Sequence, residues 1–109
     1  VNMTISIQDF SQIDLRVAVI TAAEEHPDAD KLLVLKVDAG DGEKQLVAGI
    51  KTHYSVEELV GKKIIVVNNL TPAVLRGVES NGMLLAARDG DDVVLVTTDK
   101  DVGPGSRVQ

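Results

Sequence analysis

Residues 31–50 read Lys-Leu-Leu-Val-Leu-Lys-Val-Asp-Ala-Gly-Asp-Gly-Glu-Lys-Gln-Leu-Val-Ala-Gly-Ile and predict a β-hairpin. Over 31–37, Leu33, Leu35 and Val37 fall on every second position, which is the period of a strand with one buried face. Two glycines and two acids at 40–43 are typical of a turn, and residues 44–50 form the returning strand. The centre of the chain is therefore predicted to be two antiparallel strands.

Further strands are predicted on both sides of this hairpin. Before it, apolar residues alternate over 15–23, and the His-Pro-Asp-Ala-Asp run at 26–30 is a turn by composition. After it, Ser55 and Glu58 form a capping box that begins a short helix, and Gly61 ends that helix. The later apolar runs suited to strands are 64–67, 83–87, 93–96 and 106–108.

This order of elements predicts an all-β fold. Three antiparallel strands, a short helix and then more strands are expected of an OB-type Greek-key barrel with its helix between strands 3 and 4. At the start, Ile7, Phe10 and Ile13 recur at three-residue steps, which predicts a short N-terminal helix whose apolar stripe packs onto the body. Residues 1–109 suit one domain, with 1–6 as an arm or a remnant outside it.

Composition and charge restrict the classes of function. No apolar run approaches a membrane span and no signal-like start is visible, which predicts a soluble, cytoplasmic protein without a membrane partner. The formal charge of −6 argues against nucleic-acid binding when it is taken over the whole chain. The signs are uneven, however, because aspartates crowd residues 89–101 and most lysines fall between 31 and 76. A local basic face is therefore still expected.

The stretch 75–87 carries the strongest candidate for a ligand site. It reads Leu-Arg-Gly-Val-Glu-Ser-Asn-Gly-Met-Leu-Leu-Ala-Ala, which we interpret as a loop that runs directly into an apolar strand. Arg76 can reach a phosphate, Gly77 and Gly82 allow a close approach to the backbone, and Ser80 can donate or accept a hydrogen bond. These residues together are typical of a platform for an anionic ligand.

Catalytic and metal chemistry are not indicated. His26 and His53 have no partners at ligand spacing, and the aspartates at 89–101 lack the spacing of a calcium loop. The chain has no cysteine, no phosphate loop and neither ATP-site signature of a class I synthetase, so we expect no enzyme activity, cofactor or metal. Phe10 and Tyr54 are its two aromatic residues, too few for a single-strand stacking platform, which favours a folded RNA.

Several segments in their order and spacing strongly resemble one known family. They are Asp-Leu-Arg-Val-Ala-Val-Ile from Asp14, the His-Pro-Asp-Ala-Asp-Lys run from His26, Val-Ala-Gly-Ile from Val47, Tyr54 with 57–62, Val-Asn-Asn-Leu from Val67 with Pro72, and 75–87. The chain resembles, over residues 8–109, the tRNA-binding domain found as the C-terminal appendix or β subunit of methionyl-tRNA synthetases. Free-standing tRNA-binding proteins, an export-related chaperone of bacilli and a cytokine-like cofactor of animals are similar to the same domain.

The resemblance implies a non-catalytic module that contacts the elbow of tRNA and raises the tRNA affinity of a synthetase catalytic chain or domain. It also implies that basic strand-end residues and an Asn/Ser/Met group line one RNA-facing surface. The residues at these positions are Lys31, Asn69, Arg76, Ser80 and Met83, to which we add Lys36 and Lys51.

Two other functions are compatible with the same scaffold. One is a chaperone that binds unfolded polypeptides, which would need an exposed apolar groove in place of the basic face. The other is a purely structural dimerisation domain. The sequence itself predicts a homodimer, because 93–96 is apolar on both faces and a two-fold contact through Val94, Val96 and Phe10 would cover the outer one. The alternative is a monomer in which the N-terminal helix covers that strand.

Overall fold

A strongly bent antiparallel sheet forms the body of the molecule, seen in a computed structural model that describes residues 3–109. The elements are α1 (Ile7–Ser11), β1 (Leu15–Glu25), β2 (Leu33–Asp38), β3 (Glu43–Ala48), α2 (Val56–Leu59), β4 (Lys63–Val67), β5 (Ala73–Leu75), β6 (Val78–Ser80), β7 (Met83–Leu84), β8 (Ala86–Asp89), β9 (Asp92–Leu95) and β10 (Arg107–Val108). The order in the main sheet is β3-β2-β1-β4-β7, with β10 also paired to β1.

The length of β1 allows one strand to serve two parts of the sheet. Its first half pairs with β4 and β10, and its second half pairs with β2. The register with β2 shifts between Ile20 and Ala22, which is a bulge that increases the bend of the strand. The predicted all-β, OB-like fold is confirmed, since the sheet curls and α2 lies between β3 and β4.

The curl is closed where the segment after β6 meets the outer edge of β3. The Asn81 N–H donates to the Gln45 carbonyl at 2.8 Å, which partners the exposed edge of β3. Gly82 follows with φ 128°, and a Cβ there would lie 2.8 Å from the Val67 carbonyl oxygen. Position 82 therefore requires glycine twice, once for its backbone angle and once for the close approach.

The main core lies inside the curl. The predicted alternating face of the second strand is confirmed, since Leu33, Leu35 and Val37 are essentially inaccessible. A second, smaller cluster on the other side of the sheet contains Leu15, Val17 and Ile65. Residues of α1 and β10 pack against this smaller cluster, so the two ends of the chain meet there.

Two predicted elements need correction. In the N-terminal stripe only Phe10 packs on the body, whereas Ile7 remains 71% exposed and Ile13 38%. The run 83–87 is not one buried strand, because β7 ends at Leu84 and Ala86 begins β8, which pairs with β9 outside the main sheet. Both alanines of β8 are exposed, so the second half of that run does not anchor the preceding loop in the core.

The short helices begin where the sequence predicts. The capping box at α2 is confirmed, with the Ser55 Oγ accepting from the Glu58 N–H and the Glu58 carboxylate accepting from the Ser55 N–H. The Ser55 N–H and the Ser55 hydroxyl both donate to the Glu58 carboxylate, and these two bonds lower the pKa of Glu58. The Ser6 Oγ caps α1 by accepting from the Asp9 N–H, so the arm predicted for 1–6 ends in a helix cap; residues 1–2 of that arm lie outside the described range. Within 3–109, no helix is long and apolar enough to cross a membrane.

Candidate nucleic-acid interface

A β-hairpin with a two-residue turn carries Arg76, which is exposed. Strands β5 and β6 pair from Ala73 to Ser80, and Arg76 and Gly77 form the turn between them. Their φ values of 53° and 86° are both positive, as a type I′ turn requires. Such turns favour Asn, Asp or Gly, and Arg76 is the one non-glycine residue with positive φ in the described part of the chain. The interpretation of 75–82 as a loop is corrected to a hairpin.

The turn at 26–30 holds the tip of this hairpin in place. His26 is 4% exposed, and its Nδ1 accepts a hydrogen bond of 2.9 Å from the Asp28 N–H. The other ring nitrogen, Nε2, lies 2.9 Å from the Leu75 carbonyl oxygen. The Arg76 Nη2 donates to the Asp28 carbonyl at 3.1 Å. Because a guanidinium carries five donor N–H groups, Arg76 keeps most of them available to a ligand.

Two lysines lie beside the same turn. Lys31 follows it directly, and its carbonyl accepts a bond of 3.4 Å from the Lys51 N–H. The Lys31 side chain is exposed and makes no ion pair among residues 3–109. The Lys51 Nζ lies 2.9 Å from a Glu25 carboxylate oxygen, which offsets its charge. We call Lys31, Lys51, Arg76 and the turn 26–30 the basic corner.

A pocket of about 260 Å³ opens next to the Lys51–Glu25 ion pair. Leu33, Tyr54 and Val56 contribute its apolar lining. The Tyr54 hydroxyl accepts from the Leu95 N–H at 3.0 Å, so its oxygen is committed to β9. Tyr54 is thereby fixed beside the basic corner, where its ring can contact a ligand through its apolar surface.

Lys36 lies midway along β2 and belongs to a cross-strand row. Its Nζ donates to the Gln45 Oε1 at 2.8 Å, and the Gln45 Nε2 donates to the Glu79 carbonyl at 2.8 Å. The row connects β2, β3 and β6 through side chains. Lys36 is half-buried and pairs with a neutral amide, so its charge is not neutralised there.

Ser80 does not present its hydroxyl to a ligand. It is 4% exposed, its Oγ accepts from the Val47 N–H at 3.0 Å, and its O–H donates to the Gly82 carbonyl at 3.0 Å. The expectation that the Ser80 side chain lies on the RNA-facing surface is therefore corrected. This side chain takes the place of a backbone carbonyl at the edge of β3, and it positions the loop that leads to β7.

Asn69 and Met83 lie at the start of β1, away from the basic corner. The Asn69 Oδ1 accepts from the Asp14 N–H at 2.9 Å and its Nδ2 donates to the Gln12 carbonyl at 2.7 Å. Those bonds join α1 to the end of β4, so the Asn69 amide has a structural role. Met83 is paired with Val67 and is 49% exposed.

The predicted site is therefore extended rather than compact. The basic corner adjoins the C-terminal end of β1, and Lys36 pairs with Ala22 of the same strand. Asn69 bonds to Asp14, the residue that precedes β1. The two ends of β1 are ten residues apart, which corresponds to about 30 Å in a fully extended strand. Lys31, Lys51 and Arg76 are brought together, whereas Asn69 and Met83 are not part of that group.

Two other lysines between 31 and 76 are occupied within the fold. Lys44 donates to Asn68, and Lys63 donates to the Asp101 carboxylate and the Val102 carbonyl, each at 2.6 Å. The bond and charge of Lys63 lower the pKa of Asp101. A count of lysines in the sequence thus overstates the charge that a ligand would meet, and the basic corner itself includes the carboxylates of Asp28 and Asp30 in its turn.

Sequence reasoning missed the part played by His26. A histidine before proline in an acidic turn is typical of a solvated residue, and no local pattern indicates its burial. Its partner at Leu75 is 49 positions away, so the signal exists only after β5 and β6 are recognised as a hairpin. Arg-Gly at 76–77 conceals that hairpin, because the usual sequence signals for a type I′ turn are Asn-Gly and Asp-Gly.

A family model described as a putative tRNA binding domain matches residues 15–107. The chain belongs to this family. The methionine–tRNA ligase of Thermotoga maritima is 54% identical over 104 residues, which cover 95% of this chain and 16% of the ligase. The chain thus spans a small part of that relative, and the resemblance found in the sequence is confirmed.

Solved structures show the same relationship. A methionyl-tRNA-synthetase-related protein from Pyrococcus horikoshii superposes with a TM-score of 0.92 at 37% identity, covering 99% of this chain and 100% of that one. The chaperone CsaA from Bacillus anthracis superposes with a TM-score of 0.88 at 31% identity, covering 97% and 99%. The fold is therefore shared by a synthetase-related protein and by a protein described as a chaperone.

Proposed function

We propose that this domain binds the elbow of tRNA through the basic corner and makes no base-specific reading of an anticodon. The observation that carries the proposal is the conformation of Arg76. A left-handed backbone is unfavourable for a residue with a side chain, and such strain is concentrated at functional sites. An arginine at a position suited to Asn or Gly, exposed beside Lys31, supports selection for its charge.

The aromatic residues support recognition of a folded RNA by its backbone. Phe10 packs against the Leu15 cluster, and Tyr54 is half-buried with its hydroxyl bonded to β9. Stacking along a single strand needs several exposed aromatic faces, which these two residues do not supply. Backbone phosphates of a rigid, bent RNA are a better match for cations spaced along one corner.

The domain acts, in this proposal, as an appended tRNA contact for a methionyl-tRNA synthetase chain, without catalysing aminoacylation itself. A second contact on the same tRNA raises its effective concentration at the first, so affinity increases without a change in the active site. Weak intrinsic binding is sufficient for this role. The net charge of −6 is compatible with weak binding that falls quickly as salt is raised.

We also propose a homodimer through the outer face of β9. Val93 and Leu95 pack against the main core, whereas Val94 is 52% and Val96 37% exposed. Val94 and Val96 keep this exposure in the single chain although Phe10 is packed on the smaller cluster, so α1 leaves part of the apolar face uncovered. A two-fold contact would bury this apolar edge and place two basic corners on one particle.

A chaperone activity is the second candidate, and the likeness to CsaA supports it. Strand β5 also exposes apolar surface, with Val74 69% and Leu75 39% exposed on its two faces. An extended unfolded peptide could contact that surface. Its position next to Arg76 means that peptide and RNA would compete for the same hairpin.

A competition assay distinguishes the two functions. Labelled bulk tRNA is titrated with the domain at low and moderate salt, and an unfolded, uncharged polypeptide is then added in excess. The proposal predicts a salt-sensitive complex that the polypeptide displaces poorly. A complex with the polypeptide that persists at high salt, with no tRNA complex at low salt, would establish the chaperone function instead.

A further inference from the structure

The tip of the β5–β6 hairpin is weakly supported by the rest of the fold. The β6 end is tied to β3 through Gln45 and Ser80, but these bonds involve Glu79 and later residues. Each strand of the hairpin has three residues and β5 is exposed along its length, so pairing alone holds it poorly. The left-handed Arg76 adds strain at the turn.

Two side-chain hydrogen bonds, among those of the described chain, join residues 75–78 to a segment outside the hairpin. Both come from the turn at 26–30: His26 to the Leu75 carbonyl and Arg76 to the Asp28 carbonyl. The Arg76 bond joins two exposed groups and competes with water. The His26 bond is made by a buried ring, so it contributes more to holding the tip.

The partners of His26 fix how its ring is protonated. The Asp28 N–H is a donor, so Nδ1 must accept, and the Leu75 carbonyl is an acceptor, so Nε2 must donate. A neutral ring with its proton on Nε2 satisfies both. The two contacts lie on opposite sides of one rigid ring, which sets the distance between the turn and the hairpin.

We propose that His26 is a positioning residue for the RNA site, which latches the hairpin tip onto the 26–30 turn and holds Arg76 at a fixed spacing from Lys31. The predicted effect of this contact on RNA binding rests on the proposed function. The latch itself is a property of the fold. His26 would then act on RNA affinity without touching RNA.

Two substitutions separate the contacts of the ring. His26→Asn retains an acceptor close to the position of Nδ1 and is too short to reach the Leu75 carbonyl. His26→Gln places an amide donor near the position of Nε2 and keeps that bond. His53→Asn is the matched control, because His53 is exposed and its ring makes no hydrogen bond within residues 3–109.

Amide hydrogen exchange tests the latch without RNA. His26→Asn should speed exchange at Leu75 and Val78, which close the turn, about fivefold or more, while Leu35 and Val66 in the core are unchanged. His26→Gln and His53→Asn should keep the wild-type rates. Unchanged exchange at the tip in a folded His26→Asn variant overturns the proposal.

Binding to bulk tRNA over a range of salt tests the consequence. His26→Asn should weaken binding about fivefold with an unchanged salt slope, since no phosphate contact is lost, whereas Arg76→Asn should lower that slope by about one. A reduced slope in His26→Asn would make His26 a direct contact and overturn the positioning role. A wild type that does not bind tRNA contradicts the proposed function, and the exchange result then still decides the latch.

A variant that unfolds does not end the test. If His26→Asn opens the whole domain, the core amides exchange faster as well, and the comparison passes to His26→Gln. Its retained bond to Leu75 predicts a protected tip and wild-type tRNA affinity. A loosened tip in that variant, with the core intact, overturns the latch.

Discussion

The Ser80 Oγ accepts a hydrogen bond of 3.0 Å from the Val47 N–H, and this side chain partners the outer edge of β3 where the sheet closes. Ser80→Ala would leave a buried N–H without a partner, at a cost of about 1–3 kcal/mol in the free energy of unfolding. Urea denaturation measures that loss. Ser106→Ala is the control, because its Oγ donates to the Gly103 carbonyl in an exposed turn. Equal free energies of unfolding for the two variants would show that Ser80 does not stabilise the closure of the sheet.

Gly82→Ala should also destabilise the fold. Its added Cβ would lie 2.8 Å from the Val67 carbonyl oxygen and 3.3 Å from the Leu46 Cδ2, at a φ of 128° that side chains rarely adopt. We expect a loss of more than about 1 kcal/mol in unfolding free energy. Gly103→Ala meets no atom within 4 Å and has no positive φ, so it should change stability little. Comparable midpoints for both variants in urea would contradict this assignment.

The strands of the body were predictable from the sequence because they consist largely of buried apolar residues, which recur at every second position in β2 and are consecutive in β4. Leu33, Leu35 and Val37 repeat with a period of two, because successive side chains of a strand point to opposite faces and these three lie on the buried face. The hairpin of β5 and β6 was missed for the opposite reason. All of β5 is exposed, so burial leaves no pattern there.

The candidate site was predictable in part. Lys31 and Arg76 were found because charged residues beside turns are visible in the sequence, and the structure places both at the basic corner. The environments of Ser80, Asn69 and His26 depend on partners far along the chain. Asn69 bonds to Asp14, 55 positions away, and no local pattern contains that information.

Low pH should weaken the link between Asp14 and Arg16. The hydrogen bond from Arg16, supported by one from Asn68, lowers the pKa of Asp14 against the opposing effect of burial. A lowered folded-state pKa stabilises the fold above the unfolded value of about 3.9, and this contribution is lost as pH falls through the folded-state value.

Asp14→Asn should therefore flatten the decline of unfolding free energy below about pH 4. Urea midpoints measured from neutral pH downwards give the comparison. Asp91→Asn, an exposed substitution in the turn between β8 and β9, should decline in parallel with the wild type. A parallel decline for Asp14→Asn would show that its ion pair does not contribute to acid sensitivity.

Val94→Asp should convert the proposed homodimer to a monomer. The substitution places a charge on the exposed apolar face of β9, where a two-fold contact would bury two copies of it. Sedimentation at low micromolar concentration measures the mass. Val60→Asp is matched to it, because Val60 is 54% exposed at the end of α2. A wild type that sediments with the mass of a single chain would contradict the homodimer. Dissociation of both variants to monomers would show that the interface is not at Val94.

The salt dependence of tRNA binding by Arg76→Asn tests the central claim most directly. Asn tolerates the left-handed backbone at this turn, so the variant should be at least as stable as the wild type. We predict a loss of about 1–3 kcal/mol in binding free energy and a salt slope lower by about one unit between about 50 and 200 mM salt. Lys31→Ala should lower the slope similarly, and Lys100→Ala should not. Unchanged affinity and slope in folded Arg76→Asn and Lys31→Ala would contradict the basic corner as the tRNA site.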